Sequence, residues 1–222
     1  LRGRQTGADH HVLRRAAVMV VLLVAGAAFA QEPIVTFGKP PIRDVQYTPD
    51  GRYLSILTAT DLRFLDADDY TPIARIPLDG RRELAFSPDG SVFAVLLRET
   101  IDVWDTRTRR RLRTLSKGSD PVFSSDGSLL AYSVFLGSKT TVSIVDWRAE
   151  SVVGEFTVDA SSRNTLGGFR FHPMRAWLVV GTETPSRIHI WDFDRGVEHA
   201  VLDGVTTPSA LRFSHGGRWL AV

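Results

Sequence analysis

The chain has 222 residues, 43% of them apolar and 23% charged, which is enough to bury one good hydrophobic core. It contains no cysteine, and this excludes a disulfide framework and a thiolate metal site. The formal net charge is +2, but residues 1–30 carry four arginines and one aspartate, and the remaining 23 basic and 24 acidic residues give −1. The basic charge therefore belongs to the amino-terminal segment and does not favour a nucleic-acid-binding domain.

That amino-terminal segment has the pattern of a secretory signal peptide. Arg14 and Arg15 precede an apolar run of fifteen residues, which ends in Ala28-Phe29-Ala30. A basic region, an apolar region and a small-x-small cleavage site are typical of such peptides. The run is shorter than the roughly 20 residues that span a bilayer. We therefore interpret residues 1–30 as a signal peptide with an upstream extension, expect no stable membrane span after its cleavage, and predict an exported bacterial protein, periplasmic or secreted.

Two short patterns recur along the rest of the chain at intervals of about forty residues. The first is a turn such as Ser87-Pro88-Asp89-Gly90, whose glycine, or the residue in its place, falls at 51, 90, 127, 175 and 217. Proline fixes φ in this turn, and glycine supplies the positive φ. The second pattern is a strand end such as Val103-Trp104-Asp105, with its aspartate at 66, 105, 146 and 192. Each repeat holds four strand-like runs, in the second copy Glu83–Ser87, Val92–Leu97, Ile101–Asp105 and Arg111–Leu115.

Four runs so close in sequence are expected to pair as antiparallel hairpins. One such sheet cannot bury both of its faces, and radial stacking of several sheets as a β-propeller solves this problem. The sequence thus predicts an all-β fold of four-stranded antiparallel blades. The predicted repeats occupy 42–222, with complete blades at about 42–78, 82–116, 120–158 and 168–202 and part of a fifth at 209–222. We expect the ring to be incomplete in this fragment, because closed propellers have four to eight whole blades.

The period, the Phe-Ser-Pro-Asp-Gly turn and the closing Trp-Asp resemble the WD-repeat (WD40-like) β-propeller family in a bacterial exported form. The resemblance covers roughly residues 40–222 and is best at Trp104-Asp105 and Trp191-Asp192. The family's Gly-His pair is missing, so its buried hydrogen-bond network is not complete and packing is expected to hold the blades. Periplasmic translocation propellers and oligopeptidase propellers share the Ser-Pro-Asp-Gly turn. The resemblance also implies that Ile34–Phe37, in the linker 31–41, completes the last blade and closes the ring.

No pattern typical of a catalytic, cofactor or metal site is present. His172 and His215 are expected to face solvent in repeat turns, and the six histidines lack metal-ligand spacing. There is no Gly-x-Ser-x-Gly and no phosphate loop. Aspartates that recur in every repeat are expected to be structural. The five tryptophans are predicted to lie in strands and to pack between blades, and they are Trp104, Trp147, Trp177, Trp191 and Trp219.

One stretch is strongly basic, with five arginines in seven residues: Arg107, Arg109, Arg110, Arg111 and Arg113. Such a run can be a solvated edge whose charges discourage strand addition. It can also be a docking patch for an anionic lipid or an acidic partner.

The sequence as a whole predicts a non-catalytic propeller that acts as a protein-binding or scaffolding module in the cell envelope. Its partner is expected to be another protein or peptide and not a nucleic acid, and no cofactor is expected. The loops of a rigid repeat scaffold are the expected recognition surface. The alternative is an accessory propeller that gates a serine oligopeptidase-type hydrolase domain lying beyond residue 222. A third reading is a propeller enzyme with its site in the channel.

Overall fold

The computed structural model describes residues 41–78, 83–98, 100–137, 139–159, 166–205 and 211–222. All of them belong to one compact unit of the chain. The predicted signal peptide and the predicted ring-closing strand lie outside the described residues.

The described residues form four four-stranded antiparallel sheets and one two-stranded sheet, with no helix among them. Within each sheet the strands lie in sequence order and pair with their sequence neighbours. The first sheet contains β1 (Ile42–Tyr47), β2 (Tyr53–Thr58), β3 (Asp61–Asp66) and β4 (Pro72–Pro77), and the second contains β5 (Leu84–Phe86), β6 (Val92–Leu97), β7 (Thr100–Asp105) and β8 (Arg111–Lys117). The third contains β9 (Ser119–Phe123), β10 (Leu129–Leu136), β11 (Lys139–Asp146) and β12 (Ser151–Val158), and the fourth contains β13 (Leu166–Phe171), β14 (Trp177–Glu183), β15 (Ser186–Asp192) and β16 (Val197–Asp203). The last sheet is the hairpin of β17 (Arg212–Phe213) and β18 (Leu220–Ala221).

The second strand of the second sheet is almost wholly buried, as the sequence predicts. In β6 the five residues Val92–Leu96 are buried, which requires packing on both faces of the sheet. The fourth strand of the third sheet is different, because β12 alternates between exposed and buried positions at its end. The first strands of consecutive sheets contact one another, β5 with β9 and β9 with β13. The first strands therefore lie toward the axis, and the fourth strands form the outer edge.

Four hydrophobic clusters hold the sheets together, one between each consecutive pair. Between the first two sheets, the rings of Phe64 and Phe93 are fully buried and their centroids are 5.6 Å apart. Between the third and fourth sheets, Phe156 stacks on Trp191. The predicted fold class, an all-β propeller of four-stranded antiparallel blades, is confirmed, and we call the sheets blades 1 to 5.

The turn between β10 and β11 is tight, and the prediction that all five tryptophans lie in strands is wrong. Strand pairing in blade 3 continues to Leu136 and Lys139, so that only two residues separate β10 from β11. Gly137 has a φ of 66°, which suits so tight a turn. Trp147 and Trp219 lie outside strands: Trp147 follows β11 and is buried, whereas Trp219 is 68% exposed.

Candidate binding site at the turn end of the blades

In a four-stranded meander, the turn from the first to the second strand and the turn from the third to the fourth lie at the same end of the sheet. We call this end of the blades the turn end. Both recurring sequence patterns lie there, the Pro-Asp-Gly turn in the first connection and the Trp-Asp strand end at the start of the second.

The first connection is closed by a serine and an aspartate that bind each other and the backbone. In blade 2 the Ser87 hydroxyl donates to Asp89 Oδ1 at 2.6 Å, and the Ser91 amide donates to the same oxygen at 3.0 Å. The Val92 amide donates back to Ser87 Oγ at 3.1 Å. The same bonds recur around Asp126 in blade 3. The hydrogen bond from Ser87 holds the pKa of the Asp89 carboxyl below its usual range, despite partial burial, and Ser124 does the same for the pKa of Asp126.

The second connection is closed by the aspartate that ends the third strand. Asp105 Oδ1 accepts hydrogen bonds from the Thr108 amide at 2.6 Å and from the Thr108 hydroxyl at 2.8 Å. The Thr108 amide is the main reason that the pKa of Asp105 is lowered. Asp66, Asp146 and Asp192 accept backbone amides in the same way. The recurring carboxylates therefore cap turns, which is the structural role that their repetition predicts.

His172 takes the place of Ser87 in blade 4 and is not exposed. The His172 amide donates to the Trp177 carbonyl, as the Ser87 amide donates to the Val92 carbonyl. The Met174 amide donates to His172 Nδ1 at 3.0 Å, so Nε2 carries the proton and donates to the Gly217 carbonyl of blade 5 at 3.2 Å. The expectation of a solvent-facing His172 is wrong, because this residue aligns with the buried serine and His215 aligns with the exposed proline.

The buried position of His172 predicts a pH dependence of stability. Burial lowers its pKa, the Gly217 hydrogen bond opposes that shift, and the charge of Arg175 adds to it. The neutral ring is therefore favoured in the folded state, so the His172 contribution is present above about pH 6.5 and is lost as the pH falls toward the lower folded pKa. In denaturant melts between pH 8 and pH 5, we expect wild type to lose more stability than His172→Asn, which keeps an acceptor but does not titrate. Parallel pH profiles for the two proteins would contradict this assignment.

The arginines of the basic run differ in their partners and in their exposure. Arg111 pairs with the buried Asp102 of its own blade at 3.2 Å. Arg113 pairs with Glu150 of blade 3 at 2.8 Å. Arg107 and Arg110 are exposed at the turn end. The five side chains therefore do not act as one free patch.

Arg109 of blade 2 packs against two aromatic rings of blade 1. Its guanidinium lies 4.7 Å from the ring centroid of Tyr53 and 5.4 Å from that of Phe64. Its φ is 58°, a left-handed conformation that costs about 1 kcal/mol or more for a residue other than glycine. Tyr70 and Glu150 are also left-handed, and each lies four residues after its capping aspartate, as Arg109 does. The cation–π contact offsets the backbone strain at Arg109.

Substitution at Arg109 separates these two effects. Arg109→Ala keeps the strained backbone and loses the contact with both rings, so we expect the free energy of unfolding to fall by about 1–2 kcal/mol. Arg109→Gly loses the same contact but relieves the strain, and its loss should be smaller. Arg110→Ala, at the next and exposed position, should change stability by less than about 0.5 kcal/mol. These values come from denaturant melts, and an equal loss for the alanine and glycine variants would disprove the strain argument.

A pocket of about 270 Å³ opens at the turn end between blades 1 and 2. Its lining comes from three turns, one of blade 1 and two of blade 2, and consists of Asp50, Arg52, Tyr53, Asp89, Gly90, Ser91, Asp105, Thr106 and Arg107. Gly90 allows this arrangement, because a Cβ there would lie 3.0 Å from the backbone nitrogen of Asp50. Of the predicted docking residues, Arg107 alone lines the pocket.

Sequence reasoning missed this pocket. Its residues are up to 57 positions apart, and their sequence patterns repeat in other blades, so that no local pattern marks the pocket. Within the ranges that the structure describes, no three His, Cys, Asp or Glu side chains come together in a way that could hold a metal ion. In the same ranges, no helix has the length and apolar character needed to cross a membrane.

The fold is shared with a solved β-propeller. The structure is similar to the β-propeller domain of Cps50 (Swd1) from Myceliophteria thermophila, with a TM-score of 0.65 and 15% sequence identity. The similarity covers 84% of this chain and 62% of that one, so this chain spans less than two thirds of the length of its neighbour. No protein-family model matches the sequence. At this identity the likeness shows the fold alone: the chain is a β-propeller.

Proposed function

We propose that this protein is a non-catalytic scaffold that binds a partner protein or peptide through the turn end of its blades, and that it works in the bacterial cell envelope. The main support for this proposal is that the recurring carboxylates are already bound by structural hydrogen bonds. Asp89, Asp105 and Asp126 are ionised and fixed by the hydrogen bonds of their own turns. Groups committed to the same structural bonds in successive blades are poorly placed to act as a general acid or base.

The turn end supports recognition for a second reason. It combines the exposed cations Arg107 and Arg110 with the pocket between blades 1 and 2. Turns held by a rigid repeat scaffold are where such folds place their binding residues. The likeness to another propeller adds support for the scaffold only, because a fold does not determine a function.

A capture experiment with a charge-matched pair of variants tests this function. The full chain is immobilised and exposed to an envelope extract of its bacterial host, and the captured proteins are identified. Arg110→Glu reverses one exposed charge at the turn end, and Lys139→Glu reverses one exposed charge at the opposite end of blade 3. We expect a partner that wild type and Lys139→Glu retain and that Arg110→Glu loses. Capture that is unaffected by Arg110→Glu, or lost equally in both variants, would refute recognition at the turn end.

Export is proposed from the sequence pattern at residues 14–30. Cleavage after Ala30 leaves Gln31 as the first residue of the mature protein. Mass spectrometry of the protein recovered from the periplasm or medium should therefore give a chain that begins at Gln31. Recovery of the protein only from the cytoplasm with residues 1–30 intact would contradict export.

A further inference from the structure

The pocket between blades 1 and 2 contains hydrogen-bonding groups that the fold leaves unused. Asp89 and Asp105 bind their turns through Oδ1 alone, and neither Oδ2 has a hydrogen-bond partner among the described residues. Thr106 also lines the pocket, is only 2% exposed, and its hydroxyl has no partner in the described part of the chain. A buried polar atom without a partner is rare, because its desolvation is not compensated.

The hydrogen-bonding capacity and charge of these groups limit which ligands can bind. Both free Oδ2 atoms belong to ionised carboxylates and can only accept hydrogen bonds, while the Thr106 hydroxyl can also accept one. A ligand that satisfies all three must donate several hydrogen bonds. Three carboxylates of the pocket outnumber its two guanidinium groups, and the 70% exposed Arg52 is itself 3.6 Å from Asp50. A positively charged donor is therefore favoured over an anion.

The size and position of the pocket limit the ligand further. Its volume of about 270 Å³ is below the range of roughly 300–1,000 Å³ typical of small-molecule and cofactor sites. It suits a single extended side chain better than a whole cofactor. Arg107, which lines the pocket, and Arg110, three residues further along the same turn, are both exposed. They would favour acidic residues beside the inserted cation.

We propose that this pocket binds one cationic side chain, arginine or lysine, of the partner protein, an inference that rests on the proposed function. The side chain enters between the two blades, donates to the free Oδ2 atoms of Asp89 and Asp105, and supplies the missing partner of Thr106. Recognition of the partner then depends on a basic residue in a flexible or protruding segment.

The binding test uses two small probes of the same shape. N-acetylarginine amide carries the guanidinium, and N-acetylcitrulline amide replaces it with a neutral urea group. Each is titrated into the ¹⁵N-labelled full chain while the amide signals of Ser91, Thr106 and Thr108 are followed. We expect the arginine probe to bind at least about tenfold more tightly than the citrulline probe, since charge-assisted hydrogen bonds are the stronger ones.

Two variants and one matched control test whether the amide shifts come from binding in the pocket. Asp89→Asn keeps an oxygen for the turn and replaces the free acceptor by a donor. Asp126→Asn makes the same substitution in the equivalent turn of blade 3, where Oδ2 also accepts from Ser128 Oγ at 2.8 Å. Thr106→Val removes the unpartnered hydroxyl without taking a hydrogen bond from the fold. We expect Asp89→Asn and Thr106→Val to weaken arginine-probe binding about tenfold each, and Asp126→Asn to leave it unchanged.

Equal binding of the two probes, signals that shift away from the pocket, or binding unaffected by Asp89→Asn and Thr106→Val would overturn the inference. A negative titration together with partner capture that depends on Arg110 overturns the pocket assignment alone. A specific titration without any partner that depends on the turn end supports the pocket and overturns the proposed function.

Discussion

Trp191→Ala should lower the free energy of unfolding by about 3–5 kcal/mol, the usual cost of truncating a large aromatic residue in a core. Trp191 lies on β15 of blade 4 and stacks on Phe156 of blade 3, with ring centroids 4.8 Å apart and planes at 18°. The stack belongs to the cluster that joins these two blades. Its loss should therefore weaken the contact between blades as well as blade 4 itself.

Two further substitutions show whether stacking is the cause. The indole N–H of Trp191 is buried and has no hydrogen-bond partner among the described residues. Trp191→Phe keeps an aromatic face and removes that N–H, so its cost should be under about 2 kcal/mol. Trp219→Ala removes a tryptophan that is 68% exposed and should change stability by less than about 0.5 kcal/mol. Denaturant melts followed by circular dichroism measure all three, and a loss below about 1 kcal/mol for Trp191→Ala would show that the stack does not hold the blades.

Asp61→Asn in blade 1 should lower the free energy of unfolding by about 2–3 kcal/mol. Asp61 is fully buried and accepts hydrogen bonds from Arg63 Nε at 3.0 Å, Arg75 Nε at 2.6 Å and Thr58 Oγ1 at 2.7 Å. An asparagine has one acceptor oxygen fewer and turns an N–H group toward a guanidinium. Removing one partner of a buried ion pair costs about 3–5 kcal/mol. We expect less here because the arginine side chains are 32% and 64% exposed and keep water as a partner.

Asp61 should also make the stability of the fold depend on pH in the acid range. Burial raises the pKa of Asp61, but the hydrogen bonds of Arg63, Thr58 and Arg75 together lower it below its usual value. The stabilisation is therefore present above the unfolded carboxyl pKa of about 3.9 and is lost as the pH falls through the lower folded value. The difference between wild type and Asp61→Asn should be full at pH 7 and should shrink as the pH falls below about 3.9. Arg75→Gln should cost less than Asp61→Asn at pH 7, because the Arg75 side chain is 64% exposed and Arg63 and Thr58 still bind the carboxylate.

The blade architecture follows from sequence because two independent patterns keep the same period. The Pro-Asp-Gly turn fixes where β5 ends and β6 begins, and Trp104-Asp105 fixes the end of β7. Local chemistry decides both points: glycine at position 90 adopts a φ of 70°, and Asp105 caps the next turn. Where one of these patterns is degenerate, the turn differs from those of the other blades. Arg175 stands in the glycine position of blade 4, and the first connection of that blade takes a different geometry, with the Trp177 amide donating to the Arg175 carbonyl.

The candidate site could not be predicted in the same way. The arginine run is continuous in sequence, but Arg109 turns toward the rings of blade 1 and Arg113 pairs with Glu150 of blade 3. Their neighbours are set by packing between blades and not by the run itself. The pocket is also a product of packing, since Asp50 meets the Gly90 turn only when blades 1 and 2 are in place.

Hydrogen–deuterium exchange of the full chain, alone and with its captured partner, tests most directly the central claim that recognition occurs at the turn end. The account predicts slower exchange in the complex for the turns after β1, β5 and β7, which surround the pocket between blades 1 and 2. The turns between β2 and β3 and between β6 and β7, at the opposite end, should exchange as in the free protein. Protection confined to that opposite end would contradict the account.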